Sequence, residues 1–192
     1  MTALGSGILT AADYLVYDDG TDTRYELEDG VLMAMPPEST ENCDIAHYLF
    51  AQLLRFFPVA LVAYKDLEIE VAGRRAKYRL PDLAVHTAVS KAALLGQARN
   101  TLTRDMPPPA LVIEVVSPGE INRSRDYRHK RTEYAARGIA EYWIVDPELR
   151  QITICQWVDG QYEDRVFGGD QRVESPLIPT WLLTAKGIFA LG

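Results

Sequence analysis

Two carboxylates stand where apolar strands leave them little water. Glu114 interrupts "LVIEVV", and Asp82 follows Pro81 ahead of Leu83-Ala84-Val85. By strand alternation Glu114 shares a face with Val112 and Val116, while Leu111, Ile113 and Val115 share the other. An unpaired carboxylate in such a place costs several kcal/mol or takes up a proton. A bound cation removes that cost. Two carboxylates from neighbouring strands can hold one Mg²⁺, with waters and a substrate phosphate completing its octahedron. Such a cation acidifies a bound water and stabilises charge on a transferring phosphate. Each residue alone has a plainer explanation. A lone Glu pairs with an arginine or lies near a sheet edge, and Asp after Pro is common in turns.

The positive charge that a phosphate needs is concentrated in "NRSRDYRHKRTEYAARG". Arg123, Arg125, Arg128, Lys130, Arg131 and Arg137 face only Asp126 and Glu133. Tyr127 and Tyr134 are seven apart and share a helical face. Lys130 lies three after the first and four before the second, so it belongs to that inward stripe. Its ammonium would balance the acidic pair, or orient a water and stabilise phosphate charge. The plainer alternative is a lysine snorkelling out with its stem over the tyrosines. Arg123, Arg125, Arg128 and Arg131 are the candidates for backbone phosphates, although a solvated helix face explains many such arginines.

Certain elements must carry these residues. Thr10 caps a short helix running to Tyr17. "TRYELEDGVLMAM" is a hairpin turning on Asp29-Gly30. Ile45, Tyr48, Leu49, Leu53 and Phe56 form the apolar stripe of a helix over residues 40–57, capped by Ser39 or Thr40 and stopped by Pro58. "ALVAYKDLEIEVAG" and "YRLPDLAVHT" each read as a strand, with a short helix at Lys91–Leu95 after them. The Glu114 strand covers 111–117. The basic helix covers about 124–137 and ends at Gly138. "EYWIVDP" is a strand, "QITICQWVDGQYEDRVF" a hairpin on Asp159-Gly160, and "TAKGIFALG" a last short helix. The class is α/β or α+β, a central mixed sheet with helices on its faces.

At 192 residues the chain suits one domain, 1–192, able to bury a core without staples. Its net charge of -7 argues against a surface basic all round, not against a local patch. The two cysteines, Cys43 and Cys155, are isolated and fit a reducing compartment. No secretory start and no apolar run of membrane-spanning length is present, so a cytoplasmic protein is expected.

"RYELEDGVLMAMPPES", "RLPDLAV", "LVIEVVSPG" and "RDYRHKRTEYAARGIAEYWIVDP" together resemble the Uma2 family of restriction-endonuclease-like proteins, formerly DUF820. The resemblance runs from about Thr23 to Ile188. It implies a PD-(D/E)xK nuclease core with Asp82 and Glu114 as ligands of Mg²⁺ or Mn²⁺. The usual lysine position, two after the acid, is Val116 here. The family pattern moves the lysine to the following helix, where this chain has Lys130. Glu26 matches an acidic position that would add a carboxylate to the site. A solvent-facing hairpin residue is the alternative there. Many members carry a histidine where this chain has Asn42, which can bind a phosphate or water but cannot titrate. Tyr134 closes the lysine-to-tyrosine motif. His47, His86 and His129 look incidental.

The resemblance implies a metal-dependent endonuclease acting on DNA, with a symmetric dimer suited to double-strand cutting. The competing expectation is an inactive nucleic-acid-binding or protein-interaction module on the same fold.

Overall fold

In the computed structural model, which describes residues 2–4, 7–75 and 77–191, the hairpins form where left-handed backbone is cheap. Asp29 and Gly30 adopt φ 49° and 89° and join β2 (Tyr25–Glu28) to β3 (Val31–Ala34). Asp159 and Gly160, at 47° and 94°, join β11 (Gln151–Val158) to β12 (Gln161–Gly168). Both pairs of angles suit the turn that Asp-Gly favours in hairpins.

Each of four helices starts on a side-chain cap. Thr10 and Asp13 form a reciprocal box on α1 (Ala11–Leu15), and Ser39 accepts from Asn42 N–H at the start of α2 (Thr40–Leu53). Thr87 caps α3 (Ala88–Ala93), three residues earlier than the expected Lys91 start, and Thr184 caps α6 (Ala185–Ala190). Helix α2 stops short of the expected residue 57. Arg55 N–H bonds Gln52 O and Phe56 N–H bonds Leu53 O, a tighter turn leading into Pro58. Proline disfavours α backbone at the residue before it. Phe56 nevertheless packs on Trp181, 5.6 Å between ring centroids.

The expected central mixed sheet is present, and a second mixed sheet accompanies it. The central sheet runs β12-β11-β10-β9-β7-β4 and includes β9 (Leu111–Val115) and β10 (Glu141–Asp146) as parallel neighbours. The other sheet runs β1-β3-β2-β6-β5-β8, from β1 (Thr2–Leu4) to β8 (Thr101–Leu102). The two long strands expected at 60–73 and 78–87 are each divided between the sheets. β4 (Val62–Tyr64) belongs to the central sheet and β5 (Glu68–Glu70) to the other. β6 (Tyr78–Arg79) and β7 (Leu83–Val85) divide the same way. The first break falls at Lys65, whose φ is 55°. The second falls at Pro81, which has no N–H for a ladder. The breaks touch: Lys65 N–H donates to Asp82 O at 2.9 Å.

Parallel strands need a crossover, and here it is helical. It comprises α4 (Glu120–Ser124), a π-helical segment (Arg125–Lys130) and α5 (Arg131–Arg137), then Gly138 in left-handed conformation. The helix begins four residues before the expected position, directly after Gly119, whose φ of 102° suits glycine.

The faces sort as alternation requires. Leu111, Ile113 and Val115 join the core beneath α2 and α6. Val112 and Val116 join the core with Tyr134 of the crossover, Ile69 and Leu102 of the second sheet, and Leu67 just before β5. Among the described residues, no helix is long and apolar enough to cross a membrane.

Candidate active site

Asp82 immediately precedes β7. The ladder pairs Leu83 with Ile113, so Asp82 stands across from Glu114 at the end of the β7–β9 pairing. With the ladder ended, Asp82 Oδ2 accepts Val115 N–H at 2.7 Å. Burial pushes its carboxyl up to about 6; the Val115 bond, Lys65 and Lys130 pull it down, and Glu38 pushes it up.

Glu114 is buried on the face that meets the crossover. Its Oε1 accepts from Tyr134 Oη at 2.8 Å and lies 2.8 Å from Lys130 Nζ. Burial again dominates its carboxyl, raised to about 8 despite Lys130, with Asp82, Asp126 and Glu26 adding repulsion.

Lys130 is 2% exposed, which settles between inward stripe and snorkelling. Its ammonium also lies 3.5 Å from Glu26 and 3.6 Å from Asp126. Burial disfavours its charge, but Glu114, Glu26 and Asp126 together raise its pKa above the ordinary lysine value, so it stays protonated. The π-helical segment delivers this arrangement. Such segments occur mostly as local bulges, often at functional sites. This one carries Arg125, Asp126 and Lys130 to a single cleft, and Asp126 O accepts Tyr142 Oη at 3.2 Å.

Glu26 does not face solvent; it is fully buried beneath Lys130. Burial alone would raise its carboxyl, but Lys130 and Arg79 hold it at about 2. Arg79 Nη1 lies 2.9 Å from Glu26, while its Nε and Nη2 grip Glu133 at 2.7 and 3.0 Å. Glu133 is also bound by Lys77 at 3.0 Å. Arg79 therefore holds both the carboxylate below Lys130 and the helix that carries Lys130.

The remaining residues considered from sequence divide. Asn42 Oδ1 accepts Ser39 Oγ–H, and its Nδ2 donates to Val115 O and Val116 O at 3.3 and 3.1 Å. Its amide is thus engaged at the end of β9. Arg123 is paired with Asp146 and Glu148, and Arg131 with Asp164 and Tyr162 O. Among the described residues Arg128 has no ion-pair partner and is exposed, and Arg125 lines the cleft beside Asp126. His86 is buried against Ser90, and burial with Lys91 nearby lowers it to about 4. His47 stacks on Tyr64, 5.0 Å between centroids.

Glu38 and Lys65 escaped the sequence reading. Glu38 lines the cleft behind Pro36-Pro37 and pairs with Lys65, which also lies 3.7 Å from Asp82. Asp126, Arg79 and Glu133 were missed as well. A usable signal existed for Asp126, since it lies four before Lys130 and helical neighbours at that spacing meet.

The cleft holds about 90 Å³, roughly three waters at ~30 Å³ each. Among the described residues, no group of three or more His, Cys, Asp or Glu converges as a metal-ligand set. Two carboxylates with room for water still suit Mg²⁺, which keeps several waters and takes one or two carboxylates plus phosphate. Burial, with neighbouring carboxylates adding to it, raises the Asp82 and Glu114 carboxyls, and a divalent cation would offset the cost of charging them there.

A mixed sheet with an aspartate at a strand break, a glutamate on the next strand and a lysine on the following helix is the restriction-endonuclease-like class. The chain belongs to the Uma2 family, described as "Putative restriction endonuclease", whose model matches residues 11–186. It is similar in fold to a crystal structure described as a "putative nuclease belonging to DUF820" from Anabaena variabilis ATCC 29413. That likeness has a TM-score of 0.68 at 16% identity and covers 95% of this chain and 98% of that one. No curated protein matches the chain.

Proposed function

We propose that the chain is a metal-dependent endonuclease hydrolysing phosphodiester bonds of DNA. The observation that carries this reading is the acidic pair itself: Asp82 opposite Glu114, with Lys130 2.8 Å from Glu114, beside an open cleft. Asp82 and Glu114 hold Mg²⁺ or Mn²⁺ through carboxylate oxygens. When bound, the cation acidifies a water and offsets charge on the phosphate. Tyr134 and Lys130 fix the Glu114 carboxylate. Lys130, kept protonated by Glu26 and Asp126, turns a donor toward the attacking water or a phosphate oxygen. Arg125, on the cleft wall, binds a non-reacting phosphate oxygen.

One observation favours a second reading, a nucleic-acid-binding or protein-interaction module without turnover. Lys130 already neutralises Glu114, a pairing that stability alone would explain. Incubation with single- and double-stranded DNA at low salt separates the two. The nuclease cuts with Mg²⁺ or Mn²⁺, stops with EDTA, and loses activity in Asp82→Ala. Binding without cutting in every metal contradicts it and supports the second reading.

A further inference from the structure

Beside the cleft lies a groove of about 560 Å³ that shares two wall residues with it, Asn122 and Arg125. The cleft, at about 90 Å³, is much the smaller of the two, room for a phosphoryl group and a few waters, and the groove continues from it on the Arg125 side. Whatever adjoins a phosphate in the cleft, on the Arg125 side, therefore lies in this groove.

The groove has two apolar walls, Met33 of β3 and Ile121 of α4. Ile121 is 86% exposed in the first turn of its helix and takes no part in the core. Polar groups stand between and around these walls: Asn122, Arg125, His129 and Glu28. Apolar walls with a few polar groups are the usual make-up of a small-molecule site. The carboxylates of Glu28 and Glu120 line the groove too. Arg79, 2.6 Å from Glu28, and Arg125 offset them in the same lining, so the groove offers no net positive charge to a run of phosphates and suits a neutral heterocycle.

We infer that this groove binds the nucleobase next to the scissile phosphate, with Ile121 and Met33 against its faces. The inference rests on the nuclease reading above. A base seated there is out of the helical stack. The substrate is therefore single-stranded, or extruded from a duplex, at that nucleotide.

Ile121 is exposed, so substitutions there leave the fold intact and report on the groove. The test compares wild type with Ile121→Glu on a single-stranded oligonucleotide. A set of the same oligonucleotides, each with one abasic site moved a nucleotide at a time, completes it. Ile121→Glu is expected to lower kcat/KM on the intact strand about tenfold, the scale of one base contact. One abasic position flanking the cut is expected to slow wild type to the same degree and to abolish the difference between the two proteins. Equal cutting by Ile121→Glu and wild type overturns the inference. So does a loss in the variant that persists at every abasic position. If wild type cuts only duplex, the same abasic series is run in duplex; if it cuts neither single- nor double-stranded DNA with Mg²⁺ or Mn²⁺, the nuclease reading itself fails, a result distinct from either.

Discussion

Glu114 meets two donors, Tyr134 and Lys130, on one oxygen, yet burial and three neighbouring carboxylates still raise it to about 8. Asp82 rises to about 6, against ordinary values of about 4.3 for Glu and about 3.9 for Asp. The folded chain therefore keeps protons that the unfolded chain has released. Stability from these groups is complete below about pH 4 and is lost as pH rises through about 6 to 8. A divalent cation held there, as proposed, would have to displace the same protons. Calorimetric titration with Mg²⁺ is expected to show affinity rising between about pH 6 and about pH 9, with proton release on binding. Affinity independent of pH would contradict this. These two acids were legible because a carboxylate in an apolar strand is a cost written in the sequence. Lys130 was legible from its spacing to Tyr127 and Tyr134. Glu38 and Lys65 were not: one follows Pro36-Pro37 in a loop, the other looks like a polar position in a strand, and only the fold brings them together.

The crossover helix and the paired strand breaks do most of the positioning. No glycine stands at Lys65-Asp66, so the first stretch reads as one strand; Pro81 is a local mark of the second break, but nothing local says that the halves join different sheets. The π-helical segment is equally silent, because its cause is tertiary: Tyr142 takes a freed carbonyl and Lys130 is drawn to Glu114. Arg79 ties β6 to this helix through Glu133 and to β2 through Glu26. Arg79→Ala removes one cationic partner from each of two buried carboxylates, leaving Lys130 for Glu26 and Lys77 for Glu133. Loss of one partner from a buried pair costs about 3–5 kcal/mol. A urea unfolding curve is expected to show a fall in stability of that order. A change under about 1 kcal/mol, the value of an exposed pair, would contradict the network's role.

Across the whole molecule, hairpins, caps and the central sheet were readable because Asp-Gly turns, Ser and Thr caps and alternation are local chemistry. The second sheet was not, since it joins the β2–β3 hairpin to β1, β8 and one half of each divided stretch, β5 and β6. That assembly brings β2, β7, β9 and the crossover to one junction, where four elements contribute Glu26, Asp82, Glu114 and Lys130. The net charge of -7 leaves positive charge to act locally, and Arg123 and Arg131 are already spent on carboxylates. In the proposed nuclease, phosphate contact would fall to Arg125, which lines the cleft although it lies 3.4 Å from Asp126, to the exposed Arg128 and to a cation. The most direct test is an anomalous-difference map from crystals soaked in Mn²⁺. The expected result is one strong peak per chain within coordinating distance, about 2.0–2.3 Å, of both the Asp82 and Glu114 carboxylates. An empty cleft, or a peak held elsewhere in protein that still cuts DNA, would contradict the assignment.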